Sequence, residues 1–203
     1  MYNSELPLDF HRVPVKHKKR KNTDYIVVHC SATQNLPKYD WRAIDQMHRQ
    51  RGFLSIGYHY VILTDGTIQN GRDFDEVGAH AVGFNSNSIG ICLVGGVDKR
   101  GNSVDNFTKE QKASLRDLID TLIVDNTLKN VIVLGRRDLP KVAKDCPCFD
   151  VKEWYGKQPK DKFYEKVDDD ESYYAISLKF DVPERELEIL NEDNPSNLVQ
   201  LTL

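Results

Sequence analysis

The sequence predicts an α/β protein with a mixed central sheet flanked by helices. Short continuous β-branched runs at 25–30, 88–94 and 131–134 have the pattern of strands covered on both faces. Segments of helical periodicity alternate with them, the arrangement of an α/β domain. A Gly-containing turn inside 58–69 adds a hairpin.

In chain order, Tyr25 to Cys30 is the first strand. Asp40 can cap a helix running from Trp41 through Ile44, Met47 and His48 and stopping at Gly52. Tyr58 to Leu63, the turn Thr64-Asp65-Gly66-Thr67, and Ile68-Gln69 form the hairpin. Ser88 to Val94 is a buried strand closed by Gly95-Gly96. Thr108-Lys109-Glu110-Gln111 has the spacing of a capping box, and Leu115, Leu118, Ile119, Leu122 and Ile123 repeat as one apolar helical stripe. Val131 to Leu134 is the next strand, and a short helix starts near Asp150 and includes Trp154.

Gln158 to Lys162 has the composition of a linker. Beyond it, Phe163 and Val167 alternate in a strand, helices run through Tyr174 to Phe180 and from Pro183 through Leu190, and Leu198 to Leu203 is a final strand. The division is therefore a basic arm at 1–22, an α/β domain at 23–157, a linker at 158–162 and a βααβ module at 163–203. The last is near the lower size limit for independent folding.

At 39% hydrophobic and 9% aromatic residues, the 203-residue chain has the composition of a soluble globular protein, which excludes disorder throughout. No stretch is long and apolar enough to span a bilayer, and no signal peptide is expected. The net charge of −3 conceals two modules of opposite sign, since residues 161–203 carry −8 and the rest +5. The basic tract Lys16 to Lys21 lacks interleaved aromatics and a groove-reading motif, so it reads as a solvated arm and not as a nucleic-acid contact. The four cysteines read as reduced thiols, with Cys30 and Cys92 small core residues and Cys148 a spare thiol.

His29 is polar at the end of a strand that otherwise wants burial, which suits a neutral imidazole ligand or a satisfied core histidine. Cys146 precedes proline in a loop. The two acquire a joint meaning if strand 25–30 lies beside the loop that follows strand 131–134. His48 reads as helix surface and His59 as packing.

The strings Val28-His29-Cys30-Ser31-Ala32-Thr33, Gly57-Tyr58-His59-Tyr60, Asp65-Gly66-Thr67, Gly78-Ala79-His80-Ala81, Asn87-Ser88-Ile89-Gly90-Ile91, Gly135-Arg136-Arg137-Asp138 and Cys146-Pro147-Cys148-Phe149-Asp150 resemble the zinc-dependent N-acetylmuramoyl-L-alanine amidase family. That family includes phage lysozymes of the amidase type and the peptidoglycan recognition proteins. The resemblance covers roughly residues 23–156. Residues 163–203 resemble a LysM module, a small peptidoglycan-binding unit, with an acidic run Asp168 to Glu171 where the first turn usually has glycine.

The amidase resemblance implies one zinc ion held by two histidines and a cysteine or aspartate, with a tyrosine and a lysine near the reacting carbonyl. His29 and Cys146 match the first and last ligands, Tyr58 the tyrosine and Lys144 the lysine. The second histidine belongs where Arg136 stands, and a guanidinium has no lone pair to give. Asp138, two residues on and on the same face if the strand continues, can take over as third ligand, or His80 can, its family counterpart lying near the groove. Failing both, the pocket is metal-free and Arg136, in the substrate groove with His80, pairs with a carboxylate such as one from the stem peptide.

The implied activity is hydrolysis of the amide between N-acetylmuramic acid and L-alanine in peptidoglycan, by a phage-type enzyme held in the host cytoplasm before lysis or carried in the virion beside other virion proteins. A silent wall-binding or tail protein on the same fold is the alternative, and polymerase regulation is a third. No membrane partner is expected.

Overall fold

The computed structural model of the chain describes residues 16–126, 128, 130–142, 145–156, 163–166 and 198–201. The strands of the main domain are β1 (Tyr25–Cys30), β2 (Tyr60–Ile62), β3 (Ile68–Asn70), β4 (Ser88–Leu93) and β5 (Ile132–Gly135). They form one sheet in the order β3-β2-β4-β1-β5. β1 is hydrogen-bonded in parallel to both β4 and β5, β2 adds in parallel beyond β4, and β3 closes the edge antiparallel to β2. The mixed sheet expected from the sequence is thus present, with its near-continuous apolar strands in the parallel part, where both faces need cover.

Side chains alternate across β1 as strand geometry requires. Ile26 and Val28 pack with Ile89, Ile91 and the stripe Leu115, Leu118, Ile119 and Leu122 of α2 (Lys109–Asp125). Val151 of α3 (Val151–Gly156) joins the same side. Val27 points the other way, toward Ala81, Leu134 and Leu139. His29 follows Val27 on that second side, which α1 (Trp41–Gln50) helps to cover through Ile44 packed on Val61 and Cys92.

The caps form as the sequence predicts. The Asp40 carboxylate accepts from Ala43 N at 2.9 Å, and Gly52 takes φ +87° just beyond α1. At α2, Thr108 Oγ1 accepts from Gln111 N at 3.0 Å while Gln111 Oε1 accepts from Thr108 N at 3.1 Å. The same buried Gln111 donates through Nε2 to Ile62 O and Val94 O, stitching the helix start to the ends of β2 and β4.

Four expectations change. The hairpin strand begins in regular pairing at Tyr60, although Tyr58 O and His59 O still accept from Arg72 N and Gly71 N. His48 is buried, because its Nδ1 accepts from Gly57 N at 2.9 Å in a loop whose amides need partners. The tract from Lys16 to Lys21 keeps its lysines exposed but is docked through its backbone and Arg20: Val77 N donates to Lys18 O, Lys19 bridges Asp75, and Arg20 donates to Glu76 O at 3.0 Å while lying over the Phe74 ring. Its positive charge meets the acidic segment Asp73 to Glu76. Lastly, Arg136–Asp138 form a 3-10 turn and do not extend β5, so the same-face argument for Asp138 fails.

In the C-terminal region, β6 (Phe163–Lys166) pairs antiparallel with β7 (Leu198–Leu201). The linker and the two helices expected between these strands lie outside the described residues, as does the acidic run. Among the described residues no helix is long and apolar enough to cross a membrane.

Candidate active site

Parallel pairing puts the C-terminal ends of β1 and β5 at one edge of the sheet, where α/β folds gather functional groups. Val28 lies opposite Gly135, so His29 is the next residue of β1 and Arg136 the first residue past the end of β5. The loop carrying Cys146 is fastened across these ends. Cys30 N donates to Cys146 Sγ at 3.2 Å, and Arg137 N donates to Cys146 O at 2.8 Å. Pro147 packs so closely on Gly135 that a Cβ there would meet its Cδ at 2.8 Å. Residues far apart in sequence, at 29 and 146, are thereby brought together.

The His29 ring is fully buried. Its Nε2 lies 3.0 Å from Nδ1 of His80, whose ring stands nearly perpendicular to it. Space for His80 is made by two glycines: a Cβ on Gly78 would approach its ring to 2.4 Å, and one on Gly90 to 2.6 Å. Ser88 gives its hydroxyl proton to Phe84 O at 2.6 Å, leaving a lone pair toward His80 Nε2 at 3.5 Å. Followed along this chain, His80 donates from Nε2 and accepts at Nδ1, and His29 donates from Nε2. The Nδ1 of His29 is then a bare lone pair, and it is buried without a hydrogen-bond partner. Such an orphan costs about 1–3 kcal/mol.

Burial drives the His29 pKa down to about 3, with the Arg136 guanidinium adding to the effect, and burial lowers His80 far below its usual range. Both are neutral at physiological pH. The Tyr58 ring lies 5.0 Å from His29, and burial raises its phenol well above 10, so it holds its proton. Cys146 is the thiol driven downward, by hydrogen bonding to the Cys30 side chain and backbone and by the charge of Arg136. Hydrogen bonding to Cys146 together with burial pushes Cys30 up, and burial raises Cys148 to about 11. Cys148 also donates to Gly96 O at 3.2 Å, so it is tied into the site's wall and is not a loose thiol.

Arg136 is half-buried and Asp138 turns away, its carboxylate accepting from Gly135 N at 2.9 Å. Lys144 lies outside the described residues. His80 is beside His29 but spends its Nδ1 on it. Among the described residues no three His, Cys, Asp or Glu side chains converge to hold an ion. A catalytic zinc needs three protein donors and an open position. Here His29 Nδ1 and Cys146 Sγ remain, and the permanent charge of Arg136, felt at both residues, would repel a dication. The residues present do not fit the zinc that the resemblance implies.

A cavity of about 270 Å³ opens beside the site between α1 and β1, with Ser31, His48, Arg51 and Tyr58 on its walls and Ile44 and Met47 beneath. Sequence reasoning missed this cavity, the His29–His80–Ser88 chain and the buried acceptor role of His48. The signal for His80 was the pair of glycines at 78 and 90, the second inside an otherwise bulky strand.

A five-stranded mixed sheet with His29 in β1, Tyr58 just ahead of β2 and Cys146 in the loop after β5 places the chain in the fold class of bacterial-wall amidases and peptidoglycan recognition proteins. The N-acetylmuramoyl-L-alanine amidase family matches residues 19–149, and the chain belongs to that family. Within it the chain is of the phage endolysin type. It is 44% identical over 143 residues to the endolysins of Klebsiella phage KP32 and Escherichia phage T7, covering 70% of this chain and 92% of each relative. Among solved structures, the endolysin amidase LysCS from Clostridium intestinale superposes with a TM-score of 0.56 at 29% identity, over 70% of this chain and 91% of that one. Drosophila PGRP-LB shares the fold with a TM-score of 0.60 at 24% identity, over 73% and 88%.

Proposed function

We propose that this protein acts on bacterial peptidoglycan as a phage N-acetylmuramoyl-L-alanine amidase, cleaving the amide between the lactyl group of muramic acid and L-alanine. The observation that carries the reading is the gathering of Tyr58 and Cys146 against the C-terminal end of β1, where His29 lies, in a member of this family.

Amide hydrolysis requires a polarised carbonyl, a water relieved of a proton and a protonated leaving amine. In this chain the neutral Nδ1 of His29 is a hydrogen-bond acceptor without a donor of its own, suited to orient an N–H or O–H of the reacting groups. The protonated Tyr58 phenol and the Arg136 guanidinium are the donors near which a developing oxyanion is stabilised. The module at 163–203 serves as a wall tether on the LysM reading, raising local concentration without changing the chemistry. The wall of the phage's host is the site of action, reached from the cytoplasm at lysis or from the virion.

Arg136 favours a second reading, a protein that holds the wall in the same groove without cutting it. Clearing of a suspension of purified peptidoglycan separates them. The amidase reading predicts clearing by the parent and its loss, by about 100-fold or more, in His29→Ala, whose orienting acceptor is gone. A folded parent that pulls down with the wall but never clears it supports the binder.

A further inference from the structure

We propose that Cys30 and Cys146 are a thiol modification site. Exposed to a low-molecular-weight disulfide such as oxidised glutathione, they close into a disulfide that pins the loop after β5 to the end of β1. The site goes beyond the peptidoglycan reading, which makes no use of Cys30, and does not depend on it.

Three sulfurs gather at this corner of the sheet, all of them free thiols. Cys30 ends β1 and is buried. Its backbone N–H donates to Cys146 Sγ at 3.2 Å, and its thiol is hydrogen-bonded to the same sulfur. The Cys148 thiol also reaches the Cys30 sulfur. Room for the cluster comes from Gly96, where a Cβ would lie 2.7 Å from Cys30 Sγ and 3.5 Å from Cys148 Sγ. Cys146 is the partner because it meets Cys30 through both backbone and side chain, whereas the Cys148 thiol is shared with Gly96 O at 3.2 Å. Cys92, fully buried among Ile44, Val61 and Val94, takes no part.

Exposure sets the order of events, since Cys146 is half-buried and open to a reagent that the covered Cys30 does not meet. Cys146 Sγ attacks one sulfur of glutathione disulfide, whose S–S bond breaks, and the first glutathione leaves as a thiol with the proton that Cys146 gave up. Cys30 Sγ then attacks the Cys146 sulfur of the mixed disulfide, and the second glutathione leaves as a thiol with the Cys30 proton. Two protein thiols are oxidised and one glutathione disulfide is reduced. The bond joins residues 116 positions apart, a long loop that strongly constrains the unfolded chain, so the oxidised protein melts at a higher temperature.

The test incubates the folded full chain with oxidised glutathione, blocks the remaining thiols, and reads intact mass, peptide fragments and melting midpoint. The parent is expected to lose two of its four thiols, keep no glutathione, and yield a linked peptide pair whose fragments place the bond at Cys30 and Cys146. Its midpoint should rise by about 5 °C or more over the reduced form. Cys30→Ser, lacking the second thiol, should stop with one glutathione held on Cys146, and Cys148→Ser should close as the parent does. A parent that keeps all four thiols would overturn the proposal, as would a bond placed at Cys148 or abolished in Cys148→Ser. So would a Cys30→Ser protein that takes up no glutathione, or a midpoint lowered by oxidation. The parent's own mapping decides the matter even if a variant fails to fold, and wall clearing has no bearing on any of these readouts.

Discussion

Much of this site is decided by single atoms. The imidazole of His80 fits only because positions 78 and 90 lack a Cβ, and that imidazole sets which nitrogen of His29 is left without a partner. Gly90→Ala therefore forces either the ring or strand β4 to move. We expect a loss of about 1–3 kcal/mol from overpacking, read as a lower denaturation midpoint, and a larger loss of activity than that stability change explains. A Gly90→Ala protein with the parent's midpoint and activity would show that His80 does not hold its neighbour. At position 136, one side chain sets the chemistry available, since a guanidinium carries a permanent charge and no lone pair.

At the scale of elements, the sequence showed most of what mattered because each strand and helix carried its own period and its own ends. The run Tyr25 to Cys30, the capping box at Thr108 and the stripe from Leu115 to Leu122 are local signals, and they appear in the structure within a residue or two. What stayed hidden was long-range. Nothing near His48 announces that Gly57 N will need its ring, and nothing near Lys19 announces Asp75. Both partners are supplied by loops folding back, and an exposed-looking helical position or basic tract then becomes a buried or docked one. The candidate site shared this split. His29, Cys146 and Arg136 stood out by resemblance and position, whereas the tautomer chain through His80 and Ser88 depends on strand register that no local pattern encodes. Asp138 failed as a ligand position for a similar reason, since a 3-10 turn replaced the expected strand.

The whole molecule should carry the signature of its buried neutral histidines in its pH stability. His29 is depressed to about 3 and His59 to about 4, both chiefly by burial, against about 6.5 when unfolded. Above pH 6.5 these groups are neutral in both states and contribute no difference. As pH falls below 6.5 the unfolded chain takes up protons that the folded chain refuses, so stability drops by up to about 1.4 kcal/mol per pH unit for each histidine until the folded values are reached. Thermal melts between pH 7 and 4.5 should fall steadily, before carboxylate titration dominates. A midpoint flat across that window would contradict the burial of these rings.

The central claim joins this fold to a particular bond. Mass spectrometry of the material released from purified peptidoglycan tests it most directly. The account predicts free stem peptides beginning with an L-alanine amino terminus, and glycan strands that retain intact lactyl groups with free carboxylates. Products cut within the glycan or between stem-peptide residues, with the muramyl amide preserved, would contradict it.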